Sequence, residues 1–242
     1  MQKIKLITIF FFIAFNLTAQ TTINNLLSPA FPTSLVSSAD GKTIAWVFNN
    51  KGSRNIYVAD GNNFSNAKPL TTYMGDDGVE ISNTTFTPNG NQIIFVRGNS
   101  NNNQGYAANP AFLQTDVSRN IFIINKDGSS LQKLATGYYP KISPNGKILA
   151  YLNGGQVYTT SLEDTAIKPQ QLFEARIVQG SIRWNNDGSK LAFTSNRSNH
   201  TFIGIYDFNT KSISFPDPVP AMTMTPFGVT MVPSLLTYAH QT

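Results

Sequence analysis

Few side chains in this 242-residue chain are of types that carry chemistry, and they are sparsely placed. His200 and His240 are the only histidines, and there is no cysteine. A thiol nucleophile, a disulfide framework and a cysteine-ligated metal site are therefore excluded. The strained G-x-S-x-G elbow that presents a serine nucleophile is absent, as is a strand–helix alternation to carry it. Four residues remain as candidates for substrate binding. Arg176 and Arg197, each just outside a predicted strand, have the planar guanidinium that grips a peptide carboxylate through two parallel hydrogen bonds, or else they anchor loops. Glu80, just before a strand, could hold a peptide amine. His200 lies in a predicted loop, facing either a substrate cavity or solvent. Asp76-Asp77-Gly78 has the look of a calcium loop but lacks the spaced ligands and terminal glutamate, so it reads as a connector. No metal or cofactor is expected.

Composition narrows the classes further. Lys3 and Lys5, the apolar run from Leu6 to Phe15 and the stretch ending at Ala19 form the three parts of a secretory signal. The run is shorter than the roughly 20 apolar residues of a membrane span, so cleavage after Ala19 is expected, with no span left afterwards. The destination is secreted or periplasmic. The formal charge of +5 falls to about +3 once Lys3 and Lys5 leave. No segment clusters Lys and Arg, so nucleic acid is not an expected partner. Asn-x-Ser/Thr sequons such as Asn63-Phe64-Ser65 follow from an Asn-rich composition.

The elements that would position the candidates are repeated. Asp40-Gly41, Asn89-Gly90, Asn145-Gly146 and Asp187-Gly188 recur at intervals of 49, 56 and 42 residues. The fourth and sixth positions after each Asx are apolar: Ile44 and Trp46, Ile93 and Phe95, Leu149 and Tyr151, Leu191 and Phe193. Val36, Phe86, Ile142 and Trp184 precede the turns. Asx-Gly supplies the positive φ angles of a tight hairpin, and residues two apart share one face of the next strand. The Trp46, Phe95, Tyr151 and Phe193 set is expected to pack unit against unit rather than to stack on bases. A second strand pair follows each hairpin, closed by outer strands at Lys68–Thr71, Leu131–Leu134, Gln170–Phe173 and Ser212–Phe215. Four strands per copy is the blade of a β-propeller. The expected fold is all-β: a partial propeller of about four four-stranded blades, at about 29–78, 79–137, 138–180 and 181–218, behind a signal peptide at 1–19. The long second interval places an Asn-rich insertion, Gly98 to Asp116, between strands of the second blade.

From 219 to 242 the pattern stops. Read with each codon taking the last base of one triplet and the first two of the next, Met222-Thr223 and Met224-Thr225 each force Asp, and Met231-Val232 forces Gly. A fifth copy then becomes possible, with its turn near residue 230, so the tail is expected to be a frameshifted remnant of a further blade.

The repeats Phe86-Thr87-Pro88-Asn89-Gly90 and Trp184 to Phe193 resemble those of TolB-type propellers and of the N-terminal domain of prolyl oligopeptidase family serine peptidases. Ser34 to Phe48, Asn109-Pro110-Ala111, Leu172-Phe173-Glu174-Ala175-Arg176 and Ser195-Asn196-Arg197 through Asp207 are similar to secreted dipeptidyl-peptidase-like members of that family. The resemblance implies a propeller that covers a hydrolase domain, filters substrates by size and offers charged groups to a peptide terminus. It implies a chain without catalytic machinery, truncated before its Ser-Asp-His domain. Its expected partners are peptide substrates, or that missing hydrolase domain. Self-association through the open faces of a partial arc is a further expectation. The alternative is a stand-alone TolB-type envelope propeller that binds proteins or peptides.

Overall fold

The computed structural model describes residues 30–61, 64–102, 104–106, 108–110, 112, 118–164, 166–175, 178–197 and 200–216, with the backbone alone for 178–180, 197 and 200. The expected leader and the aberrant tail both lie outside these residues.

Among the described residues there are sixteen strands and no helix. The first sheet holds β1 (Phe31–Ser37), β2 (Thr43–Asn50), β3 (Ser53–Asp60) and β4 (Lys68–Pro69). The second holds β5 (Ile81–Phe86), β6 (Gln92–Arg97), β7 (Asn120–Asn125) and β8 (Gln132–Thr136). The third holds β9 (Tyr138–Ile142), β10 (Ile148–Asn153), β11 (Gln156–Ser161) and β12 (Gln170–Gln171). The fourth holds β13 (Val178–Trp184), β14 (Lys190–Arg197), β15 (His200–Asp207) and β16 (Ser212–Ser214). Each sheet is an antiparallel meander in chain order, the blade of a propeller. First strands of successive blades touch one another, so β1, β5, β9 and β13 form the inner wall of an arc.

The turn between the first two strands of each blade is built differently from the expected one. Only glycine takes a positive φ, at 69° in Gly41, 71° in Gly90, 76° in Gly146 and 74° in Gly188, while the preceding Asx does not. The amide of each glycine donates to the carbonyl three residues back, on Ser38, Thr87, Ser143 and Asn185. This is a four-residue hairpin loop, as between Ser38 and Thr43, built on a tight turn that ends in a left-handed glycine, rather than a two-residue turn. The Asx side chain acts as an acceptor. Its Oδ1 takes the amide of Lys42, Asn91, Lys147 or Ser189 and a side-chain donor from Ser38, Thr87, Ser143 or Asn185. That second residue, two before the Asx and buried in all four copies, is a part of the repeat that the Asx-Gly pattern does not display. Register also corrects the first copy: Ser37, opposite Ile44, is the counterpart of Phe86, Ile142 and Trp184, and Val36 is one place early.

Alternation in the second strand sends two residues to each face of a blade. Ala45 and Val47 meet Ile93 and Phe95 of the next blade, Ile94 and Val96 meet Leu149 and Tyr151, and Ala150 and Leu152 meet Leu191 and Phe193. Phe95, Tyr151 and Phe193 are fully buried in this way, each contributing about 1.5–3 kcal/mol by area removed from water. Trp46 holds the same position but is only half-buried, because the first blade has no described blade before it. Burial pushes the Tyr151 phenol up to about 12, so it stays neutral. Cross-strand partners complete the layer: Trp46 stacks on Tyr57, Phe95 on Phe122 and Tyr151 on Tyr158. In the fourth blade the place opposite Phe193 is Gly204, and a Cβ there would lie 2.3 Å from the Phe193 ring. Phe173, from the loop after β12, takes up the missing aromatic contact at 4.7 Å.

The outer strands are shorter than expected in the first, third and fourth blades, by two residues, two and one, while that of the second blade runs on to Thr136. After Leu70 donates to Ile56 O, the amide of Ile56 turns to Thr71 Oγ1 instead of a backbone carbonyl, which ends the ladder. In the fourth blade β13 begins at Val178, ahead of the expected boundary at 181. The insertion of the second blade runs between Arg97 and Asn120, and its Pro110 packs on Gly78, where an added Cβ would meet it at 2.7 Å.

Gly204→Ala is expected to lower stability by about 1–3 kcal/mol through overpacking against Phe193, read as the shift of a urea midpoint. An unchanged midpoint would contradict the face-to-face assignment. A second expectation concerns acid. Hydroxyl donors, Ser38 to Asp40 and Ser189 to Asp187, followed by backbone amides, hold these carboxyls below their ordinary value. A depressed folded pKa contributes stability above the unfolded value and loses it as pH falls through the folded one. Stability should therefore decline below about pH 4. Asp187→Asn, which copies the amide of Asn89 and Asn145, should make that decline shallower, read as urea midpoints measured across the acid range.

Candidate functional site

The inner wall carries a repeated backbone irregularity. Ser34, Asn83 and Tyr139, each six residues before the Asx of its turn, have φ of 54°, 52° and 53°. At each, the pairing of the first strand with the second slips. A β-bulge bends its strand and re-aims side chains, and a left-handed residue other than glycine is held only where the surroundings dictate it. Bulges in successive inner strands open the wall, and a cavity of about 520 Å³ lies there against the first three blades. It is bordered by Ser37 and Ala39 of the first blade, residues 83–88 of the second and residues 140–144 of the third.

Among the described residues, the lining contains no carboxylate and one cation, Lys141. Lys141 sits on β9 opposite Ala150, half-buried, and its ammonium has no carboxylate partner among the described residues. Burial, and then the charge of Arg183 on β13, hold its pKa below the usual lysine value. Arg183 Nη1 donates to Ile182 O at 3.3 Å. The Thr84 hydroxyl, in the wall contributed by the second blade, is buried without a hydrogen-bond partner. A buried hydroxyl with no partner and a half-buried, unneutralised ammonium each cost stability.

The opposite, hairpin end of the blades is the reverse case, with its cations matched. Arg54 reaches Glu80 at 3.2 Å and Asp76 at 3.4 Å. Arg97 pairs with Asp77 and lies over the Tyr73 ring at 4.1 Å. Burial raises the Tyr73 phenol, with Asp77 pushing the same way and Arg97 opposing. Arg119 covers the Tyr138 ring at 3.7 Å. The connector reading of Asp76-Asp77-Gly78 fits these bonds: both carboxylates face arginines and cap the amides of Gly78 and Val79.

Of the residues singled out from sequence, Glu80 immediately precedes β5 and its carboxylate is drawn to Arg54. Arg197 is the last residue of β14 rather than just outside a strand, and His200 is the first of β15 rather than in a loop. Antiparallel pairing of β14 with β15 sets the backbones of Arg197 and His200 opposite each other. Their side chains, and the whole of Arg176, lie outside the described residues. Lys141, Thr84 and Arg183 were not singled out. Their signal was positional: superposing the four copies puts Val36, Thr85, Lys141 and Arg183 in one column, where two cations replace uncharged residues.

No protein-family profile and no curated protein sequence matches the chain. Solved structures do. The chain is similar to TolB from Acinetobacter baumannii, with 19% identity and a TM-score of 0.52 over 79% of this chain and 44% of that one. A prolyl endopeptidase aligns at 13% identity and a TM-score of 0.57 over 80% of this chain and 30% of that one. An oligogalacturonate lyase in complex with manganese aligns at 14% identity and a TM-score of 0.57 over 77% and 52%. These likenesses show the propeller fold, and the chain spans about half or less of each neighbour.

Lys141→Met is expected to raise the denaturation midpoint at pH 7, since it keeps the packing of the aliphatic stem and removes an unneutralised charge. A lowered midpoint would mean that Lys141 has a stabilising partner after all.

Proposed function

We propose that this chain is a non-catalytic propeller that binds peptides at its inner wall, as the gating portion of a secreted serine peptidase of the prolyl oligopeptidase family. The observation that carries the reading is the bulged inner wall, with its cavity and unspent donors, in a fold shared with prolyl endopeptidase. Propeller faces gather loops and inner strands round one axis, which suits them to receive an extended chain. The hydrolase partner would sit over one end of the arc and act on what passes. The second reading, a stand-alone TolB-type envelope propeller, draws on the larger share of TolB that the chain spans, 44% against 30% of the prolyl endopeptidase.

Export follows from the leader at 1–19. Among the described residues no helix is long and apolar enough to cross a membrane. Open blade faces give a partial arc a reason to self-associate, since each end of a stack of repeats otherwise exposes an apolar surface.

Two measurements test this reading. Purified chain is expected to bind unstructured peptides in a calorimetric titration without cleaving them. Peptide hydrolysis blocked by a serine-directed inhibitor would overturn the non-catalytic assignment. Sequencing the gene past the codon for Thr242 separates the two readings. A shifted frame leading to a G-x-S-x-G elbow supports the peptidase, and one ending after further repeats supports the binding protein. Expressed in a bacterium, the chain should be recovered from the periplasm or medium with Gln20 at its N-terminus, and retention at Met1 in the cytoplasm would count against export.

A further inference from the structure

Three features of the inner wall are unexplained by stability. The Thr84 hydroxyl is buried with no partner; the other such side-chain atom among the described residues, Arg97 Nε, belongs to a guanidinium that already pairs with Asp77, whereas Thr84 makes no side-chain bond at all. Lys141 borders the same cavity, half-buried and with no carboxylate partner among the described residues, although acids pair with Arg54 and Arg97 at the other end of the blades. Ser37 and Asn83 border the cavity too, and neither side chain donates to another described residue. Asn83 is held there by the left-handed kink of its bulge.

Resting on the peptide-binding reading above, we propose that this cavity is a subsite for a carboxylate of a bound peptide, with Lys141 as its cation and Thr84 and Asn83 as neutral donors. The chemistry favours a carboxylate over other ligands. A lone ammonium calls for an anion, and with no acidic residue among the described residues of the lining a cationic or metal ligand would meet only repulsion. One positive charge with neutral donors balances a single negative charge, whereas a doubly charged phosphate calls for more than one cation or a guanidinium fork. Arg183, whose charge acts on Lys141, is turned to the carbonyl of Ile182 and adds field rather than a second grip. One rotamer step of Thr84 swings its free O–H without breaking a bond, since it makes none. The carboxylate could be the peptide's C-terminus or an acidic side chain, and the test below separates the two.

The full chain is titrated calorimetrically with three peptides of one core sequence: a free C-terminal acid, its C-terminal amide, and the amide carrying one internal Glu. Binding of the acid about tenfold or more above the amide assigns the C-terminus, and the same gain for the Glu peptide alone assigns a side chain. In either case Lys141→Met should abolish the gain and Thr84→Val reduce it severalfold, while exposed Lys168→Met leaves it unchanged. Equal binding of all three peptides overturns the carboxylate subsite but leaves peptide binding standing. If no peptide binds, the peptide reading fails, and acetate tests the subsite alone. With lysines reductively methylated using 13C-formaldehyde, the Lys141 resonance, assigned by its loss in Lys141→Met, should shift saturably with acetate. No saturable shift, or a stronger response to inorganic phosphate than to acetate, overturns the proposal.

Discussion

The structure depends on one contact made three times: the second face of one blade packed on the first face of the next. The first face carries a large residue two places beyond a branched one, as in Ile93 and Phe95 or Leu191 and Phe193. The facing strand carries Ala45 and Val47, or Ala150 and Leu152. Large against smaller lets rings sink between neighbouring backbones and fill the wedge between blades that diverge from a common axis. A four-stranded sheet by itself could bury only one side. Stacked, the middle blades bury both, which is why their apolar strands read as near-continuous hydrophobic runs rather than as strict alternation.

That packing constrains the turns. The loop between the first two strands must bring the blade back in register, and it sits against its neighbour's loop. Gly90 lies 3.5 Å from Ser38, Gly146 3.7 Å from Pro88 and Gly188 3.5 Å from Pro144, measured from a Cβ placed on each glycine. The Asx side chain and the buried Ser, Thr or Asn two residues before it satisfy the amides that such a tight return would orphan. Polar bonding inside each loop thus permits apolar packing between blades.

The inner wall departs from this economy. Bulges at Ser34, Asn83 and Tyr139 interrupt pairing that could have continued, and the cavity beside them holds an unneutralised lysine and an unpartnered hydroxyl. Polar groups are matched in the turn of each blade, whereas two groups that lack a match, Lys141 and Thr84, border one cavity. These two stand on adjacent blades, so the site belongs to the arc and not to a single repeat.

The order of strands was legible in the sequence because a hairpin is a local object. Asx-Gly, a fixed offset and a two-residue period are set by neighbours along the chain, and these alone determined the four blades, their all-β class and the positions that face inward. The turn type was misjudged for a local reason too: Asp-Gly serves two hairpin geometries, and only the buried partner two residues earlier distinguishes them. The pairing of Arg197 with His200 extended a hairpin beyond what composition suggested. What tertiary structure alone decided is the site. Lys141 and Thr84 lie far apart in sequence on different blades, and neither sits in a motif. Their relation arises only when inner strands converge on one axis, since whether a lysine is solvated or stranded depends on which groups from other blades surround it.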